Sequence, residues 1–199
     1  MAVANQRSLC VFDRVRDCTM TAIDRLKPFA EEKGDIHIII DTPRGSRNKL
    51  KWDENLGVLK LSHILTAGAV FPFDFGFVPG THGADGDALD VLVLTDEPLV
   101  PLCLVQARLI GVIEAEQTQD GETLRNDRML AVTSSSRLYA KVRELDDLPP
   151  TFLDEVEQFF INYNKMRGRV FKPIKRAGSE QAMKMIKQGL SKTKRKKKR

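Results

Sequence analysis

Apolar and polar positions alternate with a period of two along the middle of this chain and take up a helical period towards its two ends. In residues 13–29, Val15, Cys18, Ala22, Leu26 and Phe29 recur at helical spacing until Lys33-Gly34 stops the pattern, which predicts an N-terminal helix. Residues 36–40 form a β-branched run that closes on Asp41, followed by a polar turn over residues 42–48. Residues 49–53 and 57–61 alternate and predict a hairpin. Further strands are expected over 69–77, rich in Phe, then 91–94, 102–113 and 129–133. Residues 151–166 turn helical, with Phe152, Val156, Phe159, Phe160 and Tyr163 on one face, and a last helix is expected over 179–189. Closely spaced strands followed by late helices predict a small α+β, mainly β barrel with helices packed outside.

A chain of 199 residues suits one domain with appendages, and its 42% hydrophobic and 30% charged residues describe a globular protein without a membrane span. Residues 1–7 lack the apolar stretch of a signal peptide, and the three cysteines form no paired-ligand pattern, so a cytoplasmic location is expected. The net charge of +5 changes meaning once it is located. Seven Lys or Arg and no acid fall between Lys192 and Arg199, which leaves −2 for the rest of the chain. A slightly acidic body with a basic tail differs from a fold built to grip nucleic acid, although such a tail is expected to be disordered and to contact nucleic acid or another polyanion non-specifically.

The candidate chemistry lies in Asp85-Gly86-Asp87-Ala88-Leu89-Asp90, which puts three carboxylates directly before the apolar strand at 91–94. Held at the edge of a core, three such charges repel one another unless a cation lies among them, and oxygen ligands of this kind suit a hard divalent ion. An EF-hand is excluded, because its loop requires Gly at the sixth position and Glu at the twelfth, where Asp90 and Asp96 stand. Asp41, Lys49, Asp120 and Arg128 add acids and bases at or near strand ends. Acids to hold metal and cations to hold phosphate oxygens suit phosphoryl transfer, and the absence of a G-x-x-x-x-G-K-[ST] loop favours a small phosphate over a nucleotide.

From residue 36 to residue 172 the chain resembles the soluble inorganic pyrophosphatases of the single-barrel family. The resemblance is carried by Asp85-Gly86-Asp87-Ala88-Leu89-Asp90-Val91, which matches that family's D-x-D-x-x-D signature. Asp41, Pro43, Lys49, Phe71-Pro72, Phe75-Gly76-Phe77, Gly111-Val112, Asp120, Ala131-Val132 and Phe159-Phe160-Ile161-Asn162-Tyr163 flank it in order. The resemblance implies a five-stranded OB-like barrel, Mg²⁺ as cofactor, inorganic pyrophosphate as substrate and a homo-oligomer. Residues 35–178 are expected to form the barrel domain, and outside the span of the resemblance the helical spacing and charge pattern make 1–34 a helical extension and 179–199 a last helix and basic tail. It makes Asp87 the base beside the attacking water, Asp85, Asp90, Asp120 and Asp41 metal ligands, and Lys49 and Tyr163 holders of phosphate oxygens.

Several positions depart from the family pattern. Asp41 replaces a Glu, Lys51 an acid, His63 a phosphate-binding Arg, Phe71 and Phe75 two Tyr, Asn126 a metal-binding Asp, Arg128 a Lys and Asn164 a Lys. Two exchanges offer compensation: Lys51 for the charge His63 carries only when protonated, and Asp127 for the carboxylate missing at Asn126. On the same residues, a weakly active or inactive phosphate- or polyphosphate-binding descendant acting through a partner is the alternative, and single-strand nucleic-acid binding on an OB-like surface is a third. Taken without the resemblance, Lys51 is as readily a solvated edge charge, and the Phe residues at 71, 73, 75 and 77 are core.

Overall fold

The computed structural model describes residues 23–31 and 34–196, with the side chains of Asp24 and of residues 191–196 left aside. Nine strands and two long helices follow one another among these residues. They are β1 (Asp35–Thr42), β2 (Asn48–Asp53), β3 (Val58–Ile64), β4 (Asp74–Phe77), β5 (Asp90–Leu94), β6 (Leu104–Gln119), β7 (Glu122–Arg125), β8 (Arg128–Thr133), α1 (Pro150–Lys165), β9 (Val170–Gly178) and α2 (Ser179–Lys196). Strands β1, β4, β5, β8 and β6 pair in that order, and β6 pairs back with β1, so five strands close into a ring. Only β5 and β8 run parallel within it. β2 and β3 form the separate hairpin that the alternation predicts.

Central ring strands such as β5 and β8 read as continuous apolar runs because both of their faces are buried, one towards each helix. Leu92, Leu94, Ile110, Leu130 and Val132 point to a cluster completed by Leu153, Val156 and Phe160 of α1. The intervening Val91, Val93, Met129 and Ala131 point to a second cluster with Ile36, Ile38 and Ile40, which Ala182 and Ile186 of α2 close. Phe71 and Phe75 belong to the first cluster and are almost wholly buried, which confirms their core role and leaves no aromatic stacking platform there.

The elements differ from expectation at five places. Residues 13–22 of the expected N-terminal helix lie outside the described residues. Its described end is a single 3-10 turn at Ile23–Arg25, after which Phe29 bridges Ile36 as extended chain, since Pro28 can neither donate to a helix nor fit inside one. The Phe-rich strand is confined to Asp74–Phe77, because Pro72 interrupts the pairing. β6 runs to Gln119 rather than 113, and an Asp120-Gly121 turn, with φ of 52° and 81°, sends it back as β7. β9 has no counterpart in the sequence reading. Its single Pro, Pro173, sits where the β6–β9 register shifts, a position that tolerates a missing N–H. α2 extends beyond 189 to Lys196, so the start of the basic tail is helical backbone rather than the disordered chain expected.

Candidate active site

A cavity of about 870 Å³ opens between the β2–β3 hairpin, the loop before β5, the β6–β7 hairpin and the end of α1. Asp41, Lys49, Lys51, Asp85, Asp87, Asp90, Asp120, Asn126, Arg128 and Tyr163 all line it. These residues are spread over more than 120 positions of sequence, and the ring brings them to one opening. His63 and Asp127 are not part of the lining. Asp127 turns its carboxylate to the backbone N–H of Ala115 at 2.9 Å and to Arg125 at 2.8 Å, and Arg125 also reaches Glu114.

Three of the predicted acids, Asp41, Asp87 and Asp90, are held as pairs with cations. Asp41 stands where β1 shifts register against β4, between Ile40 and Thr42, and accepts both 2.9 and 3.1 Å bonds from Lys49 Nζ. Burial pushes its carboxyl up despite that partner. Lys51 Nζ lies 2.6 Å from Asp87 Oδ2, and both side chains are about half exposed. Arg128, at the start of β8, lies 2.8 Å from Asp90 and also donates to the side-chain and backbone oxygens of Asn126. Asp85 has no cation within ion-pair distance among the described residues, and it accepts the backbone N–H of Asp87. Although Asp85 is an exposed residue, partial loss of solvent pushes its carboxyl up; the N–H of Asp87 opposes this, and the charges of Asp87 and Asp90 add repulsion.

Aromatic rings form the floor. Lys49 Nζ sits 3.8 Å above the centre of Phe75, and the Arg128 guanidinium lies 4.9 Å from that of Phe160. The Phe residues that replace phenols thus still face cations. His63 packs against Tyr163 with ring centres 5.2 Å apart and the planes tilted by 48°. Burial, followed by the charges of Arg167, Lys49 and Arg169, lowers its pKa to about 4, so it is neutral at pH 7 and supplies no charge to the site. Burial pushes the Tyr163 hydroxyl up, which keeps it a proton donor.

The sequence reading missed Arg167 and Arg169, which line the same cavity just after α1, together with Gln117 and Gln119 of the extended β6. Eight carboxylates and six Lys or Arg face the cavity, leaving two negative charges. A phosphate anion would be repelled from such a cavity unless cations entered with it. Among the described residues no three acids, histidines or cysteines converge as a closed metal cage. Mg²⁺ needs no such cage, since one or two carboxylates, waters and substrate phosphate complete its shell, and these dispersed oxygen donors fit that mode.

The comparisons with known proteins agree with this geometry. The model of the inorganic pyrophosphatase family matches residues 38–194, well past the last motif of the sequence resemblance. A Nostoc inorganic pyrophosphatase is 38% identical over 143 residues, which are 72% of this chain and 82% of that protein. Soluble inorganic pyrophosphatase 2 of Chlamydomonas reinhardtii is 36% identical over 166 residues, covering 83% of this chain and 84% of the relative. Among solved structures, the inorganic pyrophosphatase of Thermus thermophilus superposes with a TM-score of 0.79 at 26% identity, over 87% of this chain and 99% of that one. The ring of five strands, the acid run entering β5 and the match over residues 38–194 place this chain in the inorganic pyrophosphatase family.

Proposed function

We infer that this chain hydrolyses inorganic pyrophosphate to two phosphates in a Mg²⁺-dependent reaction. The observation that carries the reading is the cavity itself, where acids in excess by two charges share one opening with paired Lys and Arg side chains. Family membership supports the enzyme over the binding-only alternative. Asp41, Asp85, Asp90 and Asp120 would hold Mg²⁺, with Asn126 contributing an amide oxygen. When bound, Mg²⁺ supplies charge neutralisation on the phosphates and a lowered pKa for water.

The side chains of the chain do the rest. Asp87 takes a proton from the attacking water, whose oxygen bonds to one phosphorus as the bridging P–O bond breaks. Its 2.6 Å pair with Lys51 is exposed, and such pairs contribute only about 0–1 kcal/mol, so it opens readily to free the base. Lys49 and Arg128 already stand beside carboxylates and can shift their donors to phosphate oxygens. Tyr163 offers its hydroxyl as a neutral donor. His63 and Asp127 lie outside this lining and are given no direct part in the reaction.

Phosphate release from pyrophosphate with and without Mg²⁺ tests the reading directly. Asp87→Ala should reduce turnover by about 10²-fold or more with the fold intact by circular dichroism. Turnover at the wild-type level in that variant would remove Asp87 from its role. Self-association belongs to the same reading and is supported by the exposed apolar side chains Val100, Leu102 and Leu104, which sedimentation would check. The basic tail is read as a polyanion contact. Among the described residues no helix is long and apolar enough to cross a membrane.

A further inference from the structure

α1 does not simply fray out at the cavity; it ends in a specific turn. The N–H of Arg169 bonds to the carbonyl of Asn164 at 3.0 Å, and the N–H of Gly168 to that of Lys165 at 3.1 Å. Gly168 carries a φ of 69° between them. This is a Schellman ending, with glycine at the left-handed position. It reverses the chain so that the residues on either side of Gly168, both arginines, line the same cavity. Arg167 donates to the Tyr163 hydroxyl at 3.2 Å and lies 5.5 Å from the centre of that ring. Neither arginine has a carboxylate within ion-pair distance among the described residues, in contrast to Lys49, Lys51 and Arg128.

Two neighbouring guanidiniums with unused donors repel each other, and their mutual cost is offset when an anion lies between them. Their charges already act on the surroundings: the positive field of Arg167 and Arg169 helps to keep His63 neutral. Meanwhile Asn164 is fully buried and spends its amide on the Phe160 carbonyl at 2.9 Å, so it cannot serve as a phosphate donor. We propose that Arg167 and Arg169 form a guanidinium clamp that grips the phosphoryl group on the Tyr163 side of the cavity. The clamp rests on the pyrophosphate reading of the same site and adds to it the residues that hold the second phosphoryl group. A purely structural role is the competing explanation for Arg167, since a cation at a helix C-terminus favours the helix, but Lys165 already fills that role and Arg169 lies beyond the helix.

The test uses the full chain and imidodiphosphate, a non-hydrolysable analogue, titrated calorimetrically in Mg²⁺ alongside steady-state hydrolysis of pyrophosphate. The Arg167→Ala/Arg169→Ala pair should weaken imidodiphosphate binding by about tenfold or more, as expected for lost charge-assisted bonds. KM for pyrophosphate should rise by a similar factor, with kcat falling less. Arg167→Lys/Arg169→Lys should recover part of the affinity, since charge returns without the planar fork. Gly168→Ala keeps both arginines but strains the turn that aims them, and it should also weaken the analogue. Binding within about twofold of wild type in the double alanine variant overturns the clamp, as does a fall in kcat at unchanged KM and affinity. A wild-type chain that binds the analogue yet releases no phosphate would overturn the hydrolytic reading while still scoring the arginines by affinity.

Discussion

Asp41 and Asp87 are the same residue type in opposite settings, and the setting decides what each can do. Asp41 is buried against Lys49, so removing that lysine would strand a carboxylate in the core, whereas Asp87 meets Lys51 in water and can let go of it. His63 gives a pH signature. Its folded pKa of about 4 lies below the ordinary 6.5, so the unfolded chain binds more protons between those values. Its contribution to stability is therefore complete above pH 6.5 and is lost as pH falls towards 4. Urea midpoints measured from pH 7 to 5 should decline, and His63→Gln should flatten the decline; identical profiles for the two proteins would show that His63 does not titrate this way. The Asp85–Asp90 run was legible because three acids directly before an apolar strand have few innocent explanations. Arg167 and Arg169 were not, since cations after a helix read as surface charge until the turn at Gly168 is seen. The direction of Asp127 was equally hidden, because Arg125 and the Ala115 N–H set it.

Strands and turns place those residues, and β1 shows how narrow the tolerance is. Gly76 of β4 faces β1 so closely that an added Cβ would stand 2.3 Å from the Ile39 carbonyl oxygen and 3.0 Å from Ile38 Cγ2. Backbone cannot step aside as a flexible side chain can. Gly76→Ala should destabilise the fold by about 1–3 kcal/mol, read as a lower urea midpoint, and should reduce turnover by shifting Asp41 at the adjacent bulge. An unchanged midpoint would mean that β1 and β4 separate without cost. β5, β8 and α1 were legible because an apolar run or helical spacing coincides with their burial, and the β2–β3 hairpin because alternating residues flank the turn that ends at Gly57. β9 and the far half of β6 were not, since the polar positions Glu116–Gln119 carry little apolar signal and Pro173 argues against a strand. Their pairing is decided by tertiary contact rather than by local preference.

For the whole molecule, the charge division separates a slightly acidic body from a cationic end, and α2 joins them. Ala182 and Ile186 bury this helix against the ring, while the Gly189 carbonyl accepts the N–H of His82 at 3.3 Å, beside the loop that carries Asp85 and Asp87. The base of α2 therefore supports the site, whereas the seven cations between Lys192 and Arg199 follow Leu190 in the sequence. Truncation after Leu190 keeps the Gly189 contact and every residue of the cavity, whose lining ends at Arg169. The shortened chain should hydrolyse pyrophosphate at the wild-type rate, yet lose its retention on RNA or heparin. In the full chain that retention should weaken steeply with salt, because binding driven by counterion release falls by about 0.7–0.9 log units in affinity per log unit of salt for each phosphate contacted. Salt-dependent binding of single-stranded RNA that survives truncation would move the contact onto the ring and restore the nucleic-acid reading. The burial of Phe71 and Phe75 argues against that outcome, since bases could stack on neither ring.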